Sequence, residues 1–509
     1  MERLSLRVQK LFHSEWPLIA ILSLTFIVRL PSLFEPLWYG DEAIYLTIGQ
    51  KILRGGLLYA DIFDHKTPGI YYLTAAAIRL FGGSVWSVKF LLMIWVLATF
   101  VAFFFLGKRL LSKKVALAAT AILAVLTSTP LIEGNIYNSE ILMILPISLG
   151  ILAGLRQRFF IAGIFFSLAF LLKVPAMFDF AAFSIFVLFT IRKKAVSEIL
   201  KNLTLLLAGF FVPIFLTSLY FLWQGALEEY LRSAFLFNIT YVGRGNSFIF
   251  THGLLVAKAL PVFLLVCCYG VRSFLRFQKS GDTGFTLLDF LVLWLFLSFY
   301  AAVFGGRPYE HYLIQAVAPF SLIAAASFFK KSFAKVGATV LLVVVALTFA
   351  LGFRLYLHSS YYTNFFKYTT NQIGFEQYTK TYNWHAATNY ALADFLKGCE
   401  KFNREGVCVE GRTGKGDSLY IFSNQPAVYF LSGLDPASRY ITFFHIAGDD
   451  KAKTQTAKEI SEREPKYILV EKPPPGNFPA LEKLLSSRYN LFAFYEDMAI
   501  YKIIKNSRL

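Results

Sequence analysis

Long apolar stretches separated by short polar connections dominate the first 357 residues of the chain. Most of these stretches are long enough to cross about 30 Å of membrane hydrocarbon as a helix. The pattern therefore predicts a polytopic α-helical membrane protein. The apolar runs lie near residues 16–34, 69–82, 86–106, 115–131, 139–155, 159–175, 177–191, 202–222, 254–271, 285–304, 312–329 and 336–357.

The run 69–82 is short, follows Pro68 and carries Arg79, and its placement sets the orientation of every later run. If it lies on the outer surface as an amphipathic helix and the N-terminus is cytoplasmic, the cytoplasmic connections hold 19 Lys and Arg in 56 residues, including Arg192-Lys193-Lys194. The outer connections then hold only 7 in 96 residues. Because cytoplasmic loops are enriched in Lys and Arg, we predict eleven spans, with the N-terminus inside and the C-terminus outside.

The last part of the chain, residues 358–509, lacks continuous apolar runs and alternates short strand-like and helix-like segments. We predict an extracytoplasmic α/β domain here, after a membrane domain of residues 1–357. Cys399 and Cys408 could form a disulfide in that compartment. The predicted strands and helices are Leu419–Phe422, Tyr467–Val470 and Met498–Ile504, and Ala457–Glu464 and Ala480–Leu485.

Composition and charge agree with a membrane protein and exclude other classes. Only 16% of the residues are charged and 56% are hydrophobic, unlike an ordinary soluble enzyme. Residues 358–509 hold 19 basic and 16 acidic residues, so residues 1–357 hold the other 31 basic and 16 acidic ones, a net charge of +15 of the total +18. Because this excess lies between spans, it does not indicate nucleic-acid binding. The GKST, GxGxxG and HExxH patterns are missing from the sequence, which argues against NTP hydrolysis, dinucleotide binding and a zincin site.

Acidic residues are scarce in the membrane domain, and the predicted outer loop 35–85 carries Asp41-Glu42 where the first span ends. A carboxylate that is partly desolvated at this depth becomes more basic and suits a general base. The alternative is that Asp41 is a solvated helix cap.

Cations lie on the same predicted outer side: Lys66 before Pro68, Lys173 near the outer mouth of span five, and Arg307 with His311 before span ten. Such groups suit phosphate oxygens. Snorkelling toward lipid headgroups would also explain the lysines, and a structural role would explain His311. Glu140 begins span four, where stabilisation by the helix dipole is the alternative to a binding role.

In their order and sidedness, these motifs resemble the polytopic GT-C glycosyltransferases of the protein O-mannosyltransferase class, glycosyltransferase family 39, and the bacterial enzymes that transfer aminoarabinose to lipid A. The resemblance covers nearly the whole chain. Ile44 stands where the lipid A enzymes have Arg, Thr67 replaces the first Pro of Lys-Pro-Pro, and the second-loop acid is Glu. The motifs that carry it are Asp41-Glu42, Lys66-Thr67-Pro68, Glu140, Gly163 to Lys173-Val174-Pro175, Tyr309-Glu310-His311-Tyr312, and Ser418–Phe422 with the segments that follow it.

The resemblance implies a cell-envelope enzyme of the inner membrane that transfers a sugar from a polyprenyl-phosphate donor to lipid A, protein or another glycan, with inversion at the anomeric carbon. It implies Asp41 as general base beside Glu42, and phosphate binding by Lys66, Lys173, Arg307 and His311. Glu140, Tyr45 and Tyr309 are expected to position the sugar or the acceptor. No cofactor is required, although a divalent cation could bind between Asp41 and Glu140.

Three other functions stay open at this point. A transporter or lipid-linked sugar flippase would place ionisable groups near the bilayer centre and often shows two related halves. A non-catalytic assembly partner would use the tail to bind other envelope proteins. A glycan polymerase or ligase with diphosphate-linked donors is the nearest enzymatic alternative.

Overall fold

The computed structural model shows a bundle of apolar helices followed by a tail that contains a mixed β-sheet. It describes residues 2–190, 196–239, 264, 267–272, 275–276, 284–355, 359–402, 408–414 and 416–504. Most of the predicted run 254–271 and the whole cluster Arg192-Lys193-Lys194 lie outside the described residues.

The first part of the chain is helical almost throughout its described residues. Short turns of 3-10 helix lie at Leu30–Phe34, Pro130–Ile132, Val174–Ala176 and Glu310–Leu313. The helices are α1 (Glu2–Arg29), α2 (Gly40–Leu53), α3 (Gly69–Phe81), α4 (Trp86–Leu110), α5 (Lys113–Ser128), α6 (Ser139–Leu155), α7 (Phe159–Leu172), α8 (Met177–Thr190), α9 (Val196–Trp223), α10 (Leu227–Leu231), α11 (Leu287–Phe304), α12 (Ile314–Phe329) and α13 (Lys331–Ala350).

Six segments of the described chain are long and apolar enough to cross a membrane, so the protein is an integral membrane protein. Shorter apolar helices, among them α3, α6 and α7, accompany them. The number eleven and the orientation stay predictions. The six segments are Glu15–Phe34, Trp86–Leu110, Ser197–Trp223, Leu287–Phe304, Glu310–Phe329 and Lys331–Ala350.

The loop 35–85 folds into α2 and α3, which pack on each other. Helix α3 has 13 residues. At 1.5 Å per residue it is about 20 Å long, shorter than the hydrocarbon layer. It buries one face, including Tyr71 and Thr74, and exposes Leu80. The length of α3 is too short for a straight span, and the placement of this run on the outer surface stays a prediction.

The tail begins with helices and continues as two sheets. All three predicted strands and both predicted helices are confirmed, although the helix predicted from Ala457 begins at Asp450. The elements are α14 (Ser359–Thr369), α15 (Phe375–Lys380), α16 (Trp384–Lys397), β1 (Cys399–Phe402), β2 (Cys408–Gly411), β3 (Ser418–Phe422), α17 (Ala427–Ser432), β4 (Asp435–Pro436), α18 (Asp450–Arg463), β5 (Tyr467–Glu471), α19 (Pro479–Arg488), β6 (Tyr489–Tyr495) and β7 (Met498–Ile503).

The larger sheet has the strand order β4-β3-β5-β7-β6. Strands β4, β3 and β5 are parallel, and β7 and β6 add in antiparallel orientation. The middle strands β3 and β5 are buried on both faces, which explains their continuous apolar sequences. The side chains of Cys399 and Cys408 lie outside what the structure describes, so their pairing stays a prediction.

The tail is fixed to the loop 35–85 by ion pairs and backbone contacts. Asp435 accepts from Lys51 at 2.7 Å and from Arg54 at 2.6 Å. The backbone N–H of Phe63 donates to the carbonyl of Arg439 at 2.8 Å, and the Arg439 guanidinium donates to the carbonyl of Tyr59. These contacts hold the segment after β4 directly against the residues that precede Lys66.

Helices α7 and α9 approach closely because glycines face each other at the crossing. A Cβ on Gly163 would lie 2.1 Å from the carbonyl oxygen of Leu206, and one on Gly209 would lie 2.0 Å from that of Phe160. Small residues allow such close approach between membrane helices. The crossing fixes the position of the end of α7, where Lys173 follows.

We expect Gly163→Ala to destabilise the protein, because the added methyl group cannot fit without separating the two backbones. Overpacking of this kind costs about 1–3 kcal/mol. Thermal unfolding of the detergent-purified protein should show a lower midpoint for this variant. The matched control is Gly83→Ala, since a Cβ at Gly83 meets nothing within 4 Å. Equal midpoints for both variants would contradict the tight α7–α9 crossing.

Candidate active site

Asp41 lies in the first turn of α2 and faces a lysine from the same loop. The residue that caps the helix is Tyr39, and its side chain makes no capping bond, so Asp41 is not the cap. The Lys66 ammonium donates to Oδ2 of Asp41 at 3.0 Å, and the Tyr45 hydroxyl donates to the same oxygen at 3.3 Å. About a third of the Asp41 side chain (34%) stays exposed. The carboxylate is therefore paired but accessible.

Contacts on both sides of Lys66 fix its position. The Tyr59 hydroxyl donates to the Lys66 carbonyl at 2.7 Å, and the Thr67 hydroxyl donates to the carbonyl of Phe170 at the end of α7. Gly69 is required at this junction, since a Cβ there would lie 2.5 Å from the carbonyl oxygen of Leu171. The Lys66 ammonium also lies 5.0 Å from the centre of the Tyr45 ring. Tyr45 thus supports both members of the Asp41–Lys66 pair.

A second lysine–carboxylate pair is formed by Lys173 and Glu140. Lys173, in extended conformation just after α7, donates to Glu140 in the first turn of α6. The Lys173 ammonium lies 4.1 Å from the centre of the Tyr312 ring. Glu140 is almost fully buried, so the lysine supplies the charge that its carboxylate needs.

His311 lies between two carboxylates. Its Nδ1 is 2.7 Å from Oε2 of Glu133, and its Nε2 is 3.6 Å from Oε1 of Glu140. The Tyr39 hydroxyl donates to the same Glu133 oxygen at 3.2 Å. Tyr309 stacks on the imidazole with ring centres 5.8 Å apart. The predicted site residue His311 is therefore held by a carboxylate, Glu133, that the sequence did not single out.

Asp64, His65 and His445 form a buried cluster where the tail meets the loop. Nε2 of His445 lies 3.1 Å from Oδ1 of Asp64, and Nδ1 of His65 lies 2.9 Å from it. The donor atoms lie within 4.8 Å of one another. A carboxylate with two imidazoles is a donor set that suits Zn²⁺. This cluster fits a metal better than the predicted pair of Asp41 and Glu140, because each of those carboxylates contacts a lysine.

One cavity of about 690 Å³ lies between the helices and the tail, and its lining includes Asp41, His65, Lys66, Glu140, Lys173, His311 and His445. Its polar wall includes both lysine–carboxylate pairs, and the tail contributes Thr442, Phe444 and His445. Another wall is apolar and comes from the ends of α8 and α11, with Phe178, Ala301, Ala302 and Phe304. A charged end and an apolar wall in one cavity suit an amphipathic ligand.

Four other predicted residues differ in their relation to the cavity. Glu42 is fully buried and bonds to Lys89 of α4 at 2.8 Å, so it does not line the cavity. Tyr45 lies beneath Lys66 with its ring buried, whereas Tyr309 lines the cavity and is exposed. Arg307 is half-buried and is not among the described residues that line the cavity.

The pKa of Asp41 differs from the sequence-based expectation that desolvation makes this carboxylate more basic. Burial does raise the pKa of the Asp41 carboxyl, but Lys66 and His311 outweigh that effect and hold the pKa below its ordinary value. Burial likewise lowers the pKa of Lys66, yet Asp41 and the neighbouring groups Tyr45 and Asp64 raise it well above the usual range. The expected rise in basicity at Asp41 was wrong because the sequence did not reveal the lysine beside it.

Part of the chain is similar to a known protein family. Residues 65–221 match the sequence model of the family described as dolichyl-phosphate-mannose-protein mannosyltransferase. This segment includes Lys66, Glu140 and Lys173. No curated protein matches the chain by sequence.

Solved structures resemble this chain at low sequence identity. ArnT from Cupriavidus metallidurans in the apo state superposes with a TM-score of 0.53 at 13% identity, over 96% of this chain and 98% of that one. ArnT bound to undecaprenyl phosphate gives 0.49 at 12% identity over the same shares of the two chains. The archaeal oligosaccharyltransferase AglB from Archaeoglobus fulgidus, in complex with an inhibitory peptide and a dolichol-phosphate, gives 0.46 at 14% identity over 97% of this chain and 75% of that one. The chain is thus a membrane protein with the fold of ArnT, and its resemblance to the GT-C glycosyltransferases of the mannosyltransferase and ArnT type is confirmed.

Proposed function

We propose that the protein is a glycosyltransferase that moves a sugar from a polyprenyl-phosphate donor to an acceptor hydroxyl on the extracytoplasmic side of the inner membrane. The observation that carries the proposal is the single cavity in which the Asp41–Lys66 and Glu140–Lys173 pairs meet beside an apolar wall. The relative that binds undecaprenyl phosphate supports a ligand of this kind. The acceptor, whether lipid A, protein or glycan, is left open.

In the proposed reaction, the donor phosphate lies between the ammonium groups of Lys66 and Lys173, and the polyprenyl chain extends along the apolar wall. The acceptor hydroxyl donates a hydrogen bond to Asp41 and attacks the anomeric carbon from the face opposite the phosphate. The bond between that carbon and the phosphate oxygen breaks, and the configuration inverts. The two lysines stabilise the negative charge that develops on the leaving phosphate. Glu140, Tyr45 and Tyr309 hold the lysines and the sugar in place.

Lysines that neutralise a buried carboxylate can also bind an incoming phosphate. Both cations line the cavity with only 12% and 17% of their side chains exposed. In such a site a charge-assisted hydrogen bond is stronger than one in water. A metal ion is not needed for this step, although the Asp64, His65 and His445 cluster lies at the same cavity and could hold one.

We expect Asp41→Asn to reduce sugar transfer by about 10²–10⁴-fold, because the amide cannot accept the acceptor proton. The measurement is transfer from labelled undecaprenyl-phosphate sugars to envelope acceptors by protein reconstituted in liposomes. Asp450→Asn is the control, since the Asp450 side chain is 98% exposed in the tail. Transfer by Asp41→Asn at the wild-type rate would contradict the role of Asp41. Movement of the lipid-linked sugar across the bilayer without transfer would favour a flippase.

We also expect Lys66→Ala and Lys173→Ala each to weaken binding of undecaprenyl phosphate by about 10-fold or more, because each loses a charge-assisted hydrogen bond to phosphate. Binding is measured with purified protein in nanodiscs, and the neutral polyprenol serves as the reference ligand. Lys458→Ala is the matched control, with a side chain that is 74% exposed in the tail. Equal binding of the phosphate and the alcohol by the wild-type protein would rule out a phosphate site between the lysines.

A further inference from the structure

The pair formed by Glu133 and His311 has the geometry of an acid–base dyad. His311 lines the cavity with 4% of its side chain exposed, and Glu133 lies behind it and does not line the cavity. The contact joins Nδ1 to a carboxylate oxygen at 2.7 Å. An ionised carboxylate can only accept, so Nδ1 carries a hydrogen toward Glu133, and Nε2, 3.6 Å from Oε1 of Glu140, is the nitrogen that can exchange a proton with the cavity. A carboxylate that fixes an imidazole in this tautomer is the arrangement by which many hydrolases prepare a general base.

The backbone at Glu133 supports a specific role for this side chain. Glu133 has a φ of +58°, in the left-handed region that non-glycine residues rarely adopt. It follows the short turn Pro130–Ile132, and the next residue, Gly134, accepts a hydrogen bond from the buried Arg29 guanidinium at 3.0 Å. Strained conformations of this kind persist where surrounding contacts hold them, often at functional sites. The fold therefore maintains Glu133 at this position beside His311.

Asp41 alone is a poor final holder of the acceptor proton. Its carboxylate is already paired with Lys66 at 3.0 Å, and protonation would leave that lysine without its partner. Although burial raises the pKa of Asp41, the attraction of the neighbouring Lys66 ammonium acts in the opposite direction and favours the ionised carboxylate. A second group in the same cavity is needed if the proton is to leave the carboxylate.

The placement of the charges favours the same conclusion. During transfer the donor phosphate changes from a diester with one negative charge to a monoester that gains a second. If the acceptor proton moves on to a neutral imidazole, Asp41 stays ionised beside Lys66 and the new positive charge forms on His311. The imidazolium would lie between Glu133 and Glu140, at 2.7 Å and 3.6 Å in the present geometry. Both carboxylates would stabilise it.

We propose that His311, positioned by Glu133, takes up the proton released by the acceptor hydroxyl. This inference rests on the proposed function. The acceptor O–H bond breaks, its oxygen forms the new bond to the anomeric carbon, and the electron pair of the broken carbon–oxygen bond stays on the phosphate. The proton passes by way of Asp41 to Nε2 of His311 and leaves to solvent after the product departs. His311 is then a catalytic proton carrier rather than a phosphate ligand.

The groups around His311 are those that a pH profile would report. Tyr39, the residue before α2, contacts it, and Asp41, in the first turn of α2, interacts with it electrostatically. Glu133 reaches it from the second predicted outer loop, and Glu140 from the first turn of α6. Tyr309 and Tyr312, on either side of His311 in the chain, complete its surroundings. Lys173 acts on it through Glu140.

The test compares His311→Gln, Glu133→Gln and Glu133→Asp in liposomes, with labelled undecaprenyl-phosphate mannose as the donor probe, from pH 5 to 9. We expect the wild-type rate to rise with pH as the neutral imidazole forms. His311→Gln should lower kcat by about 10²-fold, with little change in the donor KM, and remove the rise. Glu133→Gln should move the rise to lower pH, because the imidazolium loses one carboxylate. Glu133→Asp should keep part of the rate that Glu133→Gln loses. In a further variant, His311→Ala, we expect added imidazole to restore part of the activity.

Each outcome separates this inference from the proposed function. His385→Gln is the control, since His385 lies in α16 of the tail and does not line the cavity. A wild-type pH profile in His311→Gln would overturn the inference and leave the proposed function intact. Weaker binding of undecaprenyl phosphate by His311→Gln, with an unchanged profile, would instead make His311 a phosphate ligand. Failure of the wild-type protein to transfer sugar from any polyprenyl-phosphate donor would overturn both.

Discussion

Pairing of buried charge is the constraint on which the site depends. A carboxylate or ammonium removed from water is costly unless an opposite charge lies beside it. The protein meets this requirement with one lysine for each cavity carboxylate, Lys66 for Asp41 and Lys173 for Glu140. The pairing compensates the charge of both carboxylates, and we expect it also to allow phosphate binding, since an anionic ligand can share the two ammonium groups. The same pairing keeps Asp41 ionised, which makes a separate proton acceptor useful.

The tail completes the site as well as covering it. Asp435 pairs with Lys51 in α2 and with Arg54, which directly follows α2. Asp41 lies in the first turn of the same helix. His445 reaches Asp64, two residues before Lys66. A displacement of the tail would therefore disturb both the metal-capable cluster and the segment that carries the lysine. The loop, the helix ends and the tail form one structural unit around the cavity.

The sequence predicted which segments meet, but it did not predict which side chains pair. The membrane helices, the central strands of the tail and five lining residues (Asp41, Lys66, Glu140, Lys173 and His311) follow from hydrophobic pattern, loop charge and motif order. Glu42 was expected beside Asp41, yet consecutive residues on a helix point about 100° apart, so Glu42 turns into the core toward Lys89. Glu133 and His445 were missed because their partners are distant in the chain. His445 lies 381 residues from Asp64, and no local pattern connects them.

The most direct test of the central claim is an experimental structure of the protein in nanodiscs with bound undecaprenyl phosphate, determined by electron cryo-microscopy. The account predicts that the phosphate lies within hydrogen-bond distance of the Lys66 and Lys173 ammonium groups, with its chain along the α8–α11 wall and with Asp41 and His311 facing the vacant sugar position. A phosphate bound elsewhere, or Lys66 and Lys173 on opposite sides of the bilayer, would contradict it.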